Sequence, residues 1–434
     1  MTDRVNSREL VLNILLAVTK EEAYSHVALA NVLEKYQYLE KQDRAFITRV
    51  SEGTLEHMIE LDYIIDKFSS VPVRKMKPVI RCILRSAVYE MRYMDSIPLR
   101  ATCDEAVKLA RRKGFARLTG FVNGVLRSIG RGLPEVEFPD PGQDETAYLS
   151  VRYSMPEWIL RLWQEAYPTE QIEDMCRCFL TPSVLTVRTD TRRIMPEELK
   201  RRLEEQGITV RQDASVPEAL HLAGVDYLGA LPEFAQGLFY VQDVSSMKAV
   251  QAADVQCGDT VLDVCGAPGG KSVHVAQLLN GTGQVITRDI SAYKVSMIQE
   301  NIRRTQVENM RAEQWDAREF DASMEEQADV VIADLPCSGL GVLRRKADIK
   351  YRMSRAQLEE LAALQREILA VVHRYVRRGG VLLYSTCTID RLENEDNVSW
   401  FLKEFPGWHM EYQEQMLPDT SGRDGFFIAR LRKG

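Results

Sequence analysis

The chain has 434 residues, a formal net charge of -7, 45% hydrophobic and 27% charged residues. At about 150 residues per domain, that length allows two or three domains with real cores, and the balance excludes a disordered or membrane-embedded chain. The opening MTDRVNSRELVLNILLAV is a polar start running into an amphipathic helix, so neither a signal peptide nor a membrane span is expected.

Up to about residue 130, apolar positions recur at helical spacing, as in Leu10, Ile14 and Val18, or Ile80, Ile83, Leu84, Ala87, Val88 and Met91. Breaks at Gly53, Pro72, Pro78, Pro98 and Gly114 divide this all-helical stretch into helices of ordinary length. Within it, Lys108, Arg111, Arg112, Lys113, Arg117, Arg127 and Arg131 form a basic run with no intervening acid. Such a local field survives a negative total and suits the phosphates of RNA.

GRGLPEVEFPDPGQDE (130–145) has no period and is rich in Gly, Pro and acid, as a linker is. A helix is expected after Pro156, then strand, helix and strand in SVLTVRTD, PEELKRRLEEQG and ITVRQ. From about Leu238, short apolar strands alternate with helices, which predicts a mostly parallel, Rossmann-like α/β sheet. VLDVCGAPGG, QVITRDIS, DVVIADLP and GGVLLYSTC are read as strands with their following loops, and GFFIARLR as a late, antiparallel strand. The expected division is 1–140 all-helical, 141–236 small α/β, and 237–434 Rossmann-like.

TVLDVCGAPGGKS (260–272) runs from strand through a Gly-rich loop into a helix, which lets backbone approach a nucleotide-like ligand. Asp289 ends the next strand, where an acid meets ribose hydroxyls, and Asp316 follows a third strand as a candidate for the adenine edge. The loop is neither GxxxxGK[ST] nor a full GxGxxG. A ligand with adenosine but no phosphate, S-adenosylmethionine, therefore suits it better than ATP or NAD.

DLPCSGLGVLRRKADIKY (334–351) and YSTCTI (384–389) each bring one cysteine, Cys337 and Cys387, to the carboxyl edge of the sheet. Two thiols there suit methylation of carbon 5 of cytosine, which is too electron-poor to react until a thiolate adds to carbon 6. A second group must then help remove the carbon 5 proton, and the spacing leaves open which cysteine does which. Asp334 is a candidate for the base's Watson–Crick edge, and Arg344, Arg345 and Lys350 for phosphates alongside an unstacked base. The 8 cysteines show no repeated CxxC or Cys/His pattern, so free thiols, a cytoplasmic location and no metal are expected.

These motifs resemble the NOL/NOP/Sun family of RNA cytosine methyltransferases over nearly the full length. The matching stretches are TGFVNGVLR, similar to NusB-like RNA-binding helices, then FYVQDVSSM, DVCGAPGGK, DLPCSG with RRKADIKY, YSTCTI followed by Glu393, Asn394 and Glu395, and DGFFIA. The resemblance implies an all-α NusB-like domain, a small linking domain and a class I methyltransferase domain acting on small-subunit (16S) ribosomal RNA. It also implies cofactor contacts from Cys265, Gly266, Ala267, Pro268, Gly269, Gly270, Lys271, Asp289, Asp316 and Asp334, with Cys387 as nucleophile and Cys337 assisting release. Gly266 and Leu335 stand where the family usually has alanine, and Ala347 where it has proline. A monomer is expected. The competing reading is an RNA-binding ribosome-assembly or antitermination factor with a degenerate methylase body, which an intact cofactor loop and both cysteines oppose.

Overall fold

The computed structural model describes residues 5–434, and the chain divides into two compact units. The first comprises the described residues up to Leu180 together with Arg345–Arg352; the second holds the remainder.

The first unit is all-helical, with α1 (Ser7–Thr19), α2 (Ser25–Lys35), α3 (Lys41–Glu56), α4 (Met58–Phe68), α5 (Pro78–Tyr93), α6 (Leu99–Arg112) and α7 (Thr119–Gly132). Local chemistry sets their ends. Asn6 caps α1 by accepting from Glu9 N–H at 3.0 Å, and Pro78 opens α5 where a missing N–H costs nothing. The apolar stripes of α1 and α5 meet in one core, which includes Leu10, Ile14, Val18, Ile80, Ile83, Leu84, Ala87 and Val88. Gly53 is not the break its type suggests. It lies inside α3, where a Cβ would stand 2.1 Å from the Tyr89 ring, so it is a glycine of close approach.

Three further helices, α8 (Glu145–Tyr153), α9 (Glu157–Gln164) and α10 (Thr169–Phe179), also fall within this compact unit. Just beyond α8, Ser154 Oγ accepts Ile59 N–H at 2.8 Å and so satisfies an orphan donor in the first turn of α4.

The second unit begins with a four-stranded antiparallel sheet, ordered β2-β3-β1-β4. It contains β1 (Leu185–Thr189), α11 (Pro196–Glu205), β2 (Thr209–Gln212), β3 (Ala219–Ala223), α12 (Pro232–Ala235) and β4 (Phe239–Val241). Leu199 and Leu203 of α11 pack on Val187, Leu220 and Leu222 of this sheet. β4, which the sequence reading counted with the third part, pairs with β1 and completes the second.

After α13 (Val244–Ala252) comes a seven-stranded sheet, ordered β10-β11-β9-β8-β5-β6-β7. Its parallel part holds β5 (Thr260–Asp263), α14 (Gly270–Leu279), β6 (Gln284–Asp289), α15 (Ala292–Thr305), β7 (Met310–Gln314) and β8 (Ala328–Asp334). Between β8 and the next strand lie α16 (Ile349–Arg352), within the segment that joins the first unit, and α17 (Arg355–Val372). β9 (Val376–Thr386), α18 (Glu395–Glu404), β10 (Trp408–Met416) and β11 (Phe426–Lys433) follow, with β11 antiparallel to both β9 and β10. The Rossmann-like order and the late antiparallel strand agree with the sequence reading. β10 was missed: as an edge strand with a largely exposed run, HMEYQ, it has no apolar alternation to read. Among the described residues, no helix is long and apolar enough to cross a membrane.

Within the first unit, the 345–352 segment is held by charged groups turned inward. Asp348 accepts from the backbone N–H and the hydroxyl of Ser25 and lies 3.3 Å from Arg352 Nε. Lys350 Nζ donates to Glu56 C=O at 2.8 Å and so caps the end of α3. Burial lowers the Lys350 ammonium to about 8, against the opposing pull of Glu56. Burial, with Glu52 nearby, raises the Glu56 carboxyl to about 7.

Because its folded pKa is raised, Glu56 contributes stability that is fully present below its unfolded pKa of about 4.3 and is lost as pH rises through about 7. Glu56→Gln removes that loss. Calorimetric unfolding should show the variant gaining on wild type by about 1–2 kcal/mol between about pH 5 and about pH 8; a pH-independent difference would contradict this assignment.

Candidate active site

Parallel pairing brings the chemistry to one edge. β5 has β6 on one side and β8 on the other, so the crevice of this doubly wound sheet opens at their carboxyl ends. Asp263, Asp289 and Asp334 are the last residues of these three strands, and Cys387 directly follows β9.

The Gly-rich loop folds tightly there. Gly266 N–H donates to Arg288 C=O at 2.9 Å, Gly269 N–H returns to Gly266 C=O at 2.7 Å, and Gly269 takes a φ of +109° before α14 begins. Asp289 is 4% exposed and accepts from Ala267 N–H at 3.2 Å and Ile290 N–H at 2.8 Å, with Lys294 Nζ at 3.2 Å. It therefore joins the loop to the start of α15. Asp316 stays near the surface, paired with Arg318 at 2.6 Å. Burial pushes the Cys265 thiol well up, so its sulfur is a packed, protonated group and only its backbone belongs to the loop's working surface.

Lys271 Nζ lies 2.5 Å from Asp334 Oδ2, and Ser385 Oγ donates to Asp334 Oδ1 at 2.8 Å. The carboxylate links the loop's helix to the strand that carries Cys387. Cys337 Sγ lies 3.2 Å from Cys387 Sγ, and Cys387 N–H points at Cys337 Sγ from 3.3 Å. Contact with Cys387 and burial push the Cys337 thiol well up, so it holds its proton in this state. Backbone fixes the two loops together: Gly341 N–H donates to Cys387 C=O at 3.0 Å, and Gly425 N–H to Gly341 C=O at 2.9 Å. A Cβ on Gly341 would stand 2.0 Å from Gly425 O, so only glycine allows this approach.

Sequence reasoning missed two carboxyls. Asp263 is 1% exposed, accepts from Ser272 Oγ, and is raised by burial to about 7. Its signal was an acid ending an otherwise apolar strand. Glu393 was noted only as part of a motif. It is fully buried, accepts from Ser338 N–H at 2.9 Å, and is raised by burial to about 7. Gln365, which donates to Glu393 Oε2 at 2.9 Å, had no sequence signal beyond an ordinary amphipathic helix.

The basic residues fall into two groups. Arg111, Arg117, Arg127 and Arg131 are exposed on the α6–α7 region, whereas Lys108 pairs with Glu105 at 2.8 Å and Arg112 and Lys113 pair with Glu9 at 3.2 and 2.7 Å. The run has no acid of its own, but the fold supplies one from α1. In the loop after β8, Arg345 is half-buried. Arg344 is buried and donates to Asp419 C=O at 2.7 Å, and Lys350 is buried on Glu56. This corrects the assignment of Arg344 and Lys350 to RNA phosphates, since their charges are spent on internal carbonyls. Among the described residues, no group of three or more His, Cys, Asp or Glu is arranged to hold a metal ion.

Gly266 stands where its resemblance would put alanine, and the packing explains it: a Cβ there would lie 2.2 Å from Thr287 Cγ2. Gly266→Ala should cost about 1–3 kcal/mol by overpacking. Thr287→Ser, which deletes that methyl, should recover at least half of the loss in a double-mutant cycle read by denaturant unfolding. Additive effects would show that the clash is not the cause.

Residues 250–432 match the family described as 16S rRNA methyltransferase RsmB/F, residues 5–131 the NusB family, and residues 155–226 the RsmF/B-like ferredoxin-like domain. The chain is 36% identical to the "Probable ribosomal RNA small subunit methyltransferase B" of Bacillus subtilis (strain 168), covering 99% of each chain. It is 31% identical to the protein of the same description from Synechocystis sp., over 99% of this chain and 100% of that one. The crystal structure of PH0851 superimposes with a TM-score of 0.83 at 25% identity, over 99% of both chains. NSun6 from Pyrococcus horikoshii shares the fold at a TM-score of 0.57 and 24% identity, over 63% of this chain and 97% of that one. With identity above 30% along the whole length of curated relatives, the chain belongs to the RsmB/F family of 16S ribosomal RNA methyltransferases.

Proposed function

We propose that the chain uses S-adenosylmethionine to methylate carbon 5 of a cytosine in small-subunit ribosomal RNA, through a covalent bond from Cys387 Sγ to carbon 6, acting in the cytoplasm as a monomer. The observation that carries this reading is the 3.2 Å approach of two thiols at the strand edge beside the Gly-rich loop. The description of the Bacillus subtilis relative supports ribosomal RNA as the substrate.

The donor set suits the cofactor. Asp289 bonds the Gly-rich loop and Asp334 pairs with Lys271 beyond it, and the loop has no phosphate-cradling motif, which favours hydroxyls and a cationic sulfonium over a polyphosphate. Asp289 would hold the ribose, Asp316 the adenine edge, the Cys265–Gly270 backbone the amino-acid end, and Lys271 with Asp334 the region between cofactor and base. When bound, S-adenosylmethionine supplies the electrophilic methyl group that carbon 5 takes.

Cys387, as the thiolate, forms the Sγ–C6 bond, and the C5=C6 electron pair moves toward carbon 5. Cys337 is the protonated partner at this stage, because a neighbouring sulfur and burial hold its thiol up. Once Cys387 is a neutral thioether, the charge beside Cys337 is gone and Cys337 gives up its own proton to solvent more readily. It then accepts the carbon 5 proton; the C5=C6 bond re-forms and the Sγ–C6 bond breaks, returning Cys387 as thiolate. Exposed Arg111, Arg117, Arg127 and Arg131 are proposed to hold phosphates of the same RNA.

Incubation of wild type, Cys387→Ala and Cys337→Ala with small-subunit ribosomal RNA and labelled cofactor tests the assignment. Cys387→Ala should lose both methyl transfer and the adduct that survives denaturation, and Cys337→Ala should accumulate the adduct. The reverse pattern would exchange the two roles, and no transfer by wild type would refute the reading. Asp289→Asn should weaken cofactor binding by about tenfold or more in calorimetric titration, the worth of one charged hydrogen bond; unchanged affinity would remove Asp289 from the site.

A further inference from the structure

Cys337 is flanked on both sides by one buried network. Gln365 Nε2, from α17, donates to Pro336 C=O at 2.8 Å, and Glu393 Oε2, from the loop after β9, accepts Ser338 N–H at 2.9 Å. The two side chains meet, with Gln365 Nε2 also 2.9 Å from Glu393 Oε2. Behind them, Gln365 Oε1 accepts from Asn397 Nδ2 at 2.8 Å and from Tyr384 OH at 3.2 Å, while Tyr384 OH also donates to Glu393 C=O. Ser338 Oγ and Thr388 Oγ1 lie 2.8 Å apart, so the residue after Cys337 is tied to the residue after Cys387. Tyr384, Gln365, Glu393 and Asn397 are all fully buried.

A purely structural network would not need a carboxylate here. Glu393 Oε1 has no hydrogen-bond partner, and a buried acid with an unpaired oxygen costs folding free energy that an apolar side chain would not. Such a cost is tolerated where geometry matters to function.

We propose that Glu393 and Gln365 are positioning residues that clamp the Pro336–Ser338 backbone and thereby hold Cys337 at the reach needed to release the base from Cys387. The clamp rests on the two-cysteine reading above. It acts on the second half of the reaction: Cys387 directly follows β9 and is held through Ser385 on Asp334 and through its own carbonyl on Gly341, bonds that Glu393 and Gln365 do not make, so bond formation persists while release suffers.

The test measures the denaturation-stable RNA adduct, methyl turnover and cofactor affinity for the full-length protein, with Cys337→Ala as the control. Glu393→Ala should hold cofactor within about twofold of wild type yet accumulate adduct about tenfold or more, since a misplacement of about 1 Å can cost far more than that. Glu393→Gln, whose amide oxygen still accepts from Ser338 and Gln365, should return adduct to within about threefold of wild type. Gln365→Leu, which removes both donated bonds, should accumulate adduct like Glu393→Ala and decides the matter if that variant fails to fold. Parallel loss of cofactor binding, transfer and adduct in both clamp variants would indicate a structural role and overturn the proposal, as would absence of rescue by Glu393→Gln. If Cys337→Ala accumulates adduct and the clamp variants do not, only the clamp falls; if Cys337→Ala accumulates none, the two-cysteine reading falls and takes the clamp with it.

Discussion

The carboxylate of Asp334 is engaged on both oxygens, by Lys271 on one and Ser385 on the other. Lys271 belongs to the helix that follows the Gly-rich loop, and Ser385 precedes the Cys387 loop by two residues. One partly buried carboxylate therefore links the Gly-rich loop to the loop that carries Cys387. Removing Lys271 would leave an unpaired charge at the strand edge, which is more costly than the net gain from the intact pair.

Around that link, burial separates the titrating groups by role. Asp263 and Glu393 are both raised to about 7, Asp263 beneath the Gly-rich loop and Glu393 beneath the Cys337 loop. Cys337 is raised as well, first by its contact with Cys387. Carboxyls raised to about 7 are partly protonated at neutral pH, which softens their repulsion toward Asp334 and Asp289. Close backbone approach does the rest: Gly341 and Gly425 let the Cys337 loop and the last strand's loop touch, and Gly266 leaves room for Thr287.

In the helical unit, the exposed arginines of α6 and α7 keep their charge available, while Lys108, Arg112 and Lys113 share theirs with Glu105 and Glu9. Asp348, Lys350 and Arg352 face inward on α1–α3 and the turns between them. Counting charges along the chain could not distinguish Arg112, Lys113 and Lys350, because the Glu9 that pairs with the first two comes from about a hundred residues away and Lys350 donates to a backbone carbonyl.

Local pattern determined most of the architecture. Helical spacing marked the first unit, short apolar runs marked β5, β6, β8 and β9, and a strand–Gly-rich loop–helix marked the cofactor loop, since each signal comes from residues within one or two turns of one another. The acids and cysteines at strand ends were legible for the same reason: a parallel sheet puts every such end on one edge. Only tertiary structure decided the rest. It paired β4 with β1 in the small sheet, turned Arg344 and Lys350 inward, made Gly53 a contact rather than a break, and joined Glu393, Gln365 and Ser338 around Cys337. These depend on which distant carbonyl, ring or carboxylate arrives beside a residue, and no period or motif within the chain encodes that arrival.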